Sequence, residues 1–437
     1  MALLIVSCSG PSAVQEASLL TDADLDAATQ LPAASSSLLA SGPQSVATSD
    51  AINSADRSGA PLLSGAALDA ASAKGEARGQ RDLGGFMAYV EQKGEKYSIR
   101  LVDLNDENSP ERRGDYVVYS GKRVIQSVAV SRDGMMVAFV AETKDGDYDL
   151  YLLDALRNKV ASTRTPEADE RDVSMSLDGS ALAWQGGTAQ APSLAWFHEE
   201  LGGYLELDPA TWGAVFGLPL TSVHPSISGN GFTVAFVDTS GELANDFGFG
   251  FAQGLTTIEF TLVDGTLTGL GLVLQYIGDD LSFPSLDYAA DTMLFFEVFD
   301  GVPFLSLLDL ESGDFADLLS DLTLDHPFLT ADGDYVTFSF EGDAYLVDLT
   351  TGNVAALSTD AKTTDSATYW ARGDFATYSG RNDEGVFVRP GDDLPAEGRT
   401  VGYHVEEFRP IADDFYEVLS VQNYDGYLNL YVGDFNP

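Results

Sequence analysis

A short polar turn followed by a run of apolar residues recurs along the chain and limits the folds open to it. The clearest copy begins with Ser131, Asp133 and Gly134, and later copies keep its outline. The anchor residues of the successive copies are Ser131, Ser176, Ser228, Asp287, Thr330, Arg372 and Asp413. Their intervals run from 41 to 59 residues. A period of about 40–50 residues with several strands per period is typical of a β-propeller.

The segments between the turns are strand-like. From Leu83 onward, short runs of Val, Tyr, Phe, Leu and Thr alternate with Gly, Asp and Asn, without a long helical period. We therefore predict an all-β domain over 83–437, a β-propeller that packs blade on blade to bury both faces of each sheet. Eight blades fit the strand pairs best. Seven is the alternative, because the copy at Ser176 is irregular.

One copy also supports a family resemblance. Residues 127–154, SVAVSRDGMMVAFVAETKDGDYDLYLLD, resemble the WD40-like (PD40) propeller repeat of the TolB family. The copies at 224–238 and 326–349 are similar, and the others match mainly by spacing. The resemblance implies a propeller of the kind found in periplasmic and cell-surface proteins, and no particular activity. That family also carries an N-terminal α/β domain, which this sequence does not match.

The N-terminus contains the single cysteine of the chain. Residues 1–8 read MALLIVSC, and the last four resemble the lipobox of bacterial lipoproteins, which implies lipidation of Cys8. No Lys or Arg precedes the apolar run, and the run is shorter than a secretory signal normally needs. A truncated or atypical lipoprotein signal over 1–8 is the prediction, with an accidental match as the alternative.

The next segment lacks the side chains that build a core. Residues 9–82 are rich in Ala and Ser, and the first aromatic residue of the chain is Phe86. Such a composition predicts a disordered, flexible linker. Lipid and linker together would tether the propeller to a membrane, with no other membrane contact. No stretch of 18 or more apolar residues, the length that can span a bilayer, occurs elsewhere in the chain.

The charge balance excludes one class of partner. The chain carries 68 acidic and 23 basic residues, a formal net charge of −45. Nucleic-acid binding normally requires clustered Lys and Arg to neutralise phosphates, so the sequence predicts no nucleic-acid partner. It predicts an acidic protein and a monomer.

Sequence motifs of catalysis are missing. The four histidines are His198, His224, His326 and His404, and none forms the paired spacing of a zinc protease. The sequence has neither a Gly-x-Ser-x-Gly elbow nor a phosphate-binding glycine loop, and no cysteine lies in the propeller region. We therefore predict no catalytic residue, no metal and no cofactor.

The repeat register selects candidate binding residues. The residue four positions before each anchor should occupy one equivalent place in every blade, near the mouth of the central channel. This set comprises Ser127, Asp172, His224, Phe283, His326 and Thr368, with Arg409 in the last copy. A ring of mixed polarity could hold a peptide end, a carboxylate or a metal. The alternative is a set of local caps, because Pro follows several of these residues and His-Pro forms turns.

An acidic hairpin resembles the start of a calcium loop. Asp145, Asp147 and Asp149 alternate as in an EF-hand. The match fails at Leu150 and Leu156, where such a loop needs Gly and Glu. A structural turn is the prediction, with adventitious calcium as the alternative.

Two functional classes fit these features. The first is an envelope- or surface-anchored, non-catalytic module that binds an envelope or extracellular protein or peptide or serves as a scaffold. It would be an outer-membrane lipoprotein facing the periplasm or the surface, or a secreted protein. The second is a secreted propeller hydrolase or lyase with a site at the channel mouth. The first is preferred, because the mouth set offers few acids, histidines or metal ligands.

Overall fold

A computed structural model gives the fold. It describes residues 19–34, 44–49, 86–93, 95–103, 115–131, 134–155, 159–165, 168–250, 252–278, 280–320, 325–329, 333, 335–340, 343–350, 352–356, 368–372, 375–379, 384–388, 401–407, 410–412, 415–416 and 420–423. From residue 368 onward the description is of the backbone. No helix among these residues is long and apolar enough to cross a membrane.

Strands account for most of the described chain, as predicted. The three helices of the described part are α1 (Asp22–Ala27), α2 (Pro209–Phe216) and α3 (Glu242–Asp246). The strands up to residue 207 are β1 (Thr29–Gln30), β2 (Gln44–Thr48), β3 (Phe86–Lys93), β4 (Lys96–Asp103), β5 (Asp115–Gly121), β6 (Ile125–Val130), β7 (Met136–Glu142), β8 (Tyr148–Asp154), β9 (Lys159–Ser162), β10 (Arg171–Met175), β11 (Ala181–Thr188), β12 (Ala191–His198) and β13 (Gly203–Leu207).

The remaining strands continue the same pattern. They are β14 (Ser222–Ile227), β15 (Thr233–Asp238), β16 (Gln253–Val263), β17 (Thr266–Gly278), β18 (Ser282–Leu286), β19 (Thr292–Phe299), β20 (Val302–Asp309), β21 (Phe315–Ser320), β22 (Asp325–Leu329), β23 (Tyr335–Phe340), β24 (Asp343–Asp348), β25 (Asn353–Ala356), β26 (Thr368–Arg372), β27 (Phe375–Ser379), β28 (Glu384–Val388), β29 (Val401–Glu407), β30 (Pro410–Ala412), β31 (Phe415–Tyr416) and β32 (Ser420–Asn423).

Consecutive strands form consecutive antiparallel sheets. Sheet I is β3–β5, sheet II β6–β9, sheet III β10–β13, sheet IV β14–β17, sheet V β18–β21, sheet VI β22–β25, and sheet VII β26–β29 with β32. The first strand of each sheet from β6 to β22 contacts the first strand of the next sheet. This is the arrangement of blades in a propeller, so the all-β propeller prediction is confirmed. The described strands form these seven sheets and the pair β30–β31, and eight blades stays a prediction.

The hydrophobic cores lie between neighbouring sheets. One core joins Ile99 of sheet I to Phe139 and Tyr151 of sheet II, and others join sheets II and III, III and IV, and IV and V. A single four-stranded sheet cannot bury both of its faces, so each sheet depends on its neighbours for stability.

The recurring polar turn joins the first and second strands of a sheet. Ser176 Oγ accepts a hydrogen bond from the Ala181 amide at 2.9 Å, and the Gly179 amide donates to the Ser176 carbonyl at 3.0 Å. Gly179 has a φ of 77°, which favours glycine. A Cβ at Gly179 would lie 2.7 Å from Ser131 Cβ in the turn of the preceding sheet. The glycine therefore also permits close packing of adjacent turns.

The segment predicted to be a flexible linker is in part ordered. Residues 19–34 and 44–49, here called the strap, run along the outer edges of sheets I to IV. Leu20 bridges Tyr119 of β5, and Ala33 bridges Tyr204 of β13. Between these bridges β1 pairs in parallel with β9, and further on β2 pairs in parallel with β17. The strap thus adds backbone pairing to four consecutive sheet edges.

The linker prediction does not hold for the strap, for a physical reason. A strand added to a free sheet edge is held by backbone N–H and C=O groups, so it needs no aromatic side chain. The Leu31 amide donates to the Ser162 carbonyl at 2.7 Å. Leu20, Leu25 and Leu31 are each at most 6% exposed, and they supply the few apolar contacts. Cys8 and the predicted lipidation lie outside the described residues.

Candidate functional site

The strand directions define two faces of the molecule. The first strand of each sheet begins on one face, here called the upper face, and ends on the lower face. Because neighbouring strands are antiparallel, the connections between second and third strands also lie on the upper face. The predicted site residues occupy the beginnings of the first strands, on this upper face.

Four first strands carry the same irregularity at the same place. In β10, β14, β18 and β22 one extra residue is inserted between positions five and two before the anchor. These β-bulges contain Asp172, His224, Phe283 and His326. A bulge bends the strand and redirects a side chain, and bulges are frequent next to functional sites. The repeat register therefore identified one structural position in four consecutive sheets.

The backbone at this position is left-handed. The φ angles of Asp172, His224 and Phe283 are 52°, 52° and 51°. Such a conformation is uncommon for residues other than glycine, and for a bulky residue such as Phe it is a clear outlier. A conformation that costs free energy in three successive sheets indicates that the surrounding structure requires it.

The three side chains contact one another across sheet boundaries. His224 Nδ1 lies 3.4 Å from Asp172 Oδ2, and the two side chains are 28% and 21% exposed. On its other side, the His224 ring lies 5.6 Å from the Phe283 ring, centroid to centroid. We call Asp172, His224 and Phe283 the mouth row. It presents a carboxylate, an imidazole and an aromatic ring in order across sheets III, IV and V.

The remaining predicted residues are placed differently. Ser127 is 1% exposed, pairs regularly with Val140, and accepts a 3.4 Å hydrogen bond at its Oγ from the Val173 amide. The bulge of β6 lies one residue earlier than in the later sheets, which turns Ser127 inward. Thr368 pairs regularly with Ser379. His326 lies in its bulge, where only the backbone is described, and Arg409 lies outside the described residues.

The left-handed bulge leads to a stability prediction at His224. Because β-branched residues tolerate positive φ poorly, we expect His224→Val to lower the free energy of unfolding by about 1–2 kcal/mol more than His224→Gly does. Both variants lose the imidazole, so their difference in urea denaturation isolates the backbone cost. Equal stabilities of the two variants would show that the bulge relaxes freely.

The upper face also carries exposed aromatic rings that the sequence analysis did not select. Phe249, in the connection after α3, is 43% exposed, and Phe299, at the tip of the β19–β20 hairpin, is 44% exposed. Single exposed apolar side chains are normal on a protein surface, so these two rings are of interest because they lie on the same face as the mouth row. The signal in the sequence was their position beside glycine-containing turns, where polar residues are the norm.

Metal ligands do not gather in the described part of the chain. No group of three or more His, Cys, Asp or Glu side chains there could hold a metal ion. In the acidic hairpin, the hydroxyl of Thr143 donates to Asp147 Oδ1, and Asp149 Oδ2 accepts from Ser162 Oγ at 3.2 Å. These bonds are those of a structural turn. Adventitious calcium, the alternative to a structural turn, stays untested.

Comparison with known proteins gives fold-level similarity at low identity. No protein-family model matches the chain, and no curated protein matches it in sequence. Similar solved structures include TolB from Acinetobacter baumannii, at 13% identity and a TM-score of 0.39, covering 69% of this chain and 75% of that one. An oligogalacturonate lyase in complex with manganese is 12% identical, with a TM-score of 0.46, covering 69% and 84%. A β-propeller domain from Myceliophteria thermophila is 13% identical, with a TM-score of 0.40, covering 68% and 93%.

Proposed function

We propose that this chain is a non-catalytic binding or scaffold protein of the bacterial cell envelope that recognises a protein or peptide segment on its upper face. The mouth row carries the proposal. Its carboxylate and imidazole can hydrogen-bond to backbone or side-chain groups of a peptide, and its phenyl ring supplies an apolar contact. A few fixed polar groups beside apolar surface are the usual composition of a recognition site.

The exposed aromatic rings extend this surface outward. Phe249 and Phe299 belong to sheets IV and V, the same sheets as His224 and Phe283. Aromatic residues are enriched in protein interfaces because one ring buries a large apolar area at a small entropic cost. The negative net charge favours a partner whose contacting surface is basic or neutral.

Attachment to the envelope is part of the same proposal. Lipidation of Cys8 would place the strap and the propeller beside a membrane without a spanning segment. Ten residues separate Cys8 from the beginning of the strap at Leu19. An anchor of that length would hold the outer edges of sheets I to IV close to the bilayer. A partner would then approach the upper face in a direction parallel to the membrane.

Site-specific photocrosslinking tests the proposal. We expect a photoreactive phenylalanine analogue at Phe249 or Phe299 to crosslink the same discrete partner from envelope extract. The same analogue at Val263, which is 54% exposed at the lower-face tip of the β16–β17 hairpin, is the control and should give no such product. His224→Gly should reduce the upper-face product.

Two results would contradict binding at the upper face. One is an identical product from Val263, and the other is the absence of any product from both phenylalanine positions. The alternative, a propeller hydrolase or lyase, would use the same Asp172–His224 pair. If the protein is such an enzyme, the wild type should cleave the captured partner into fragments, and the His224→Gly variant should not.

A further inference from the structure

A concave site lies on the upper face, between the strap and sheet II. It is a cavity of about 490 Å³, which is within the usual range for small-molecule sites. One wall is the β7–β8 hairpin with the following strand, and the opposite wall is α1. Its lining includes Leu25, Asp26, Arg123, Lys144, Asp145, Asp147, Asp149, Tyr151 and Arg164, with Thr143 and Thr165.

Part of the lining charge is already compensated within the protein. Arg123, 9% exposed, forms an ion pair with Asp26 and donates a 2.9 Å hydrogen bond to the Tyr151 hydroxyl. Asp149, 6% exposed, accepts hydrogen bonds from Ser162 Oγ and from the Thr165 amide, each at 3.2 Å. Burial raises the pKa of Asp149, and the nearby charge of Arg164 opposes that shift.

Four other charged groups line the cavity. Asp145 and Lys144 are exposed at the hairpin tip, and neither forms an ion pair within the described residues. Asp147 accepts its hydrogen bond from the neutral Thr143 hydroxyl. Arg164 donates through one nitrogen to the carbonyls of Asp26 and Ala28, which are neutral. Apart from the Arg123–Asp26 pair, the charged lining is therefore three carboxylates, Asp145, Asp147 and Asp149, and two cations, Lys144 and Arg164.

The share of basic groups in this lining is high for the chain. Acidic residues outnumber basic ones by about three to one overall, whereas the lining outside the Arg123–Asp26 pair has three acidic and two basic groups. A ligand with a single charge would be repelled by the lining groups of the same sign. A ligand with an ammonium and a carboxylate can pair with both signs.

We propose that the cavity between α1 and the β7–β8 hairpin binds a small zwitterion, a free amino acid or a short peptide with both ends free. The ammonium group lies against Asp145 and Asp147, and the carboxylate lies against Lys144 and Arg164. The strap completes the site, because Leu25 and Asp26 both belong to α1.

Calorimetry with four forms of one dipeptide tests the proposal. The forms of alanyl-leucine are the free zwitterion, the N-acetylated, the C-amidated and the doubly blocked dipeptide. We expect the free form to bind, each single block to weaken binding about tenfold, and the doubly blocked form not to bind, because each block removes a charge-assisted hydrogen bond.

Variants assign the two ends of the ligand. Asp147→Asn keeps the hydrogen bond from Thr143 and should abolish the difference between the free and the N-acetylated dipeptide. Lys144→Met should abolish the difference between the free and the C-amidated dipeptide. Asp300→Asn, in the hairpin of sheet V outside the cavity, is the matched control, since Asn tolerates the φ of 51° there. It should bind all four forms as the wild type does.

Three outcomes would overturn the proposal. They are no binding of the free dipeptide at millimolar concentration, equal affinity for the free and the N-acetylated forms, and an unchanged pattern in both cavity variants. None of these variants touches the mouth row, so crosslinking at Phe249 and Phe299 can succeed or fail independently.

Discussion

Replacement of Glu170 by Gln is expected to raise the free energy of unfolding by about 4 kcal/mol at pH 8 and to change it little at pH 4. Glu170 lies in the connection between β9 and β10 and is 2% exposed. Burial raises the pKa of its carboxyl from 4.5 to about 8. Its oxygens accept hydrogen bonds from the Thr163 and Thr165 hydroxyls, the first at 2.6 Å and the second at 3.2 Å, and from the Leu150 amide.

The direction of this effect follows from proton binding. Between pH 4.5 and about 8 the folded chain holds the Glu170 proton and the unfolded chain has lost it. Unfolding then releases a proton, so the stability contributed by this group is complete below pH 4.5 and declines as the pH rises to about 8. A glutamine has the same shape and no proton to lose, and it can still accept from Leu150 and Thr163.

Urea denaturation of wild type and variant at several pH values measures the effect. The net charge of −45 destabilises both proteins alike as the pH rises, so the relevant quantity is the difference between them. Glu259→Gln, on the exposed side of β16, is the control and should show no pH-dependent difference. If Glu170→Gln and wild type lose stability in parallel from pH 4 to 8, the buried carboxyl is charged in the folded protein.

Replacement of Arg123 by Met is expected to release the strap and to lower the free energy of unfolding by about 2 kcal/mol. The guanidinium is 10% exposed, pairs with Asp26 of α1, lies 3.8 Å from Asp22, and donates to the Tyr151 hydroxyl. Methionine keeps much of the apolar stem and removes every one of these bonds. The loss exceeds that of an exposed ion pair because the guanidinium is nearly buried and donates to the Tyr151 hydroxyl, which belongs to a residue 2% exposed, while Asp22 and Asp26 remain about half exposed to water.

Hydrogen exchange at strap amides measures the release directly. The Leu20 amide donates to the Val118 carbonyl at 2.9 Å and the Leu31 amide to the Ser162 carbonyl at 2.7 Å. A loss of about 2 kcal/mol in local stability corresponds to exchange that is roughly 30-fold faster. Arg171→Met is the control, because its ion pair with Asp169 spans 3.9 Å between half-exposed groups and contributes little. Unchanged exchange in Arg123→Met would mean that backbone pairing alone holds the strap.

The repeat could be predicted from sequence because its determinants are local. The Ser176 hydroxyl bonds to an amide five residues later, and Gly179 supplies the positive φ within the same turn. Strands on either side follow from alternating apolar residues. The same register located Asp172, His224, Phe283 and His326 at one bulge position, although nothing in the sequence indicated a bulge. Ser127 departs from this pattern because the extra residue of β6 comes one position earlier.

The strap could not be predicted, because whether a segment pairs as an edge strand depends on the backbone of the sheet edge beside it. Residues 9–82 have the composition of a linker, and that composition is compatible with both disorder and edge pairing. The strap pairs because the edges of β9 and β17 offer their backbone groups to β1 and β2. The cavity beside α1 has the same origin, because it exists only where the strap and sheet II meet.

The all-β class, the blade period and the position of equivalent residues follow from the amino-acid sequence, since turn chemistry and hydrophobic alternation act over a few residues, and the acidic character follows from composition. Which of those equivalent residues touch, where a linker becomes a strand and which carboxyl is buried follow from the folded structure. These features depend on contacts between segments distant in the chain. His224 meets Asp172 and Phe283 only because three successive sheets stack side by side.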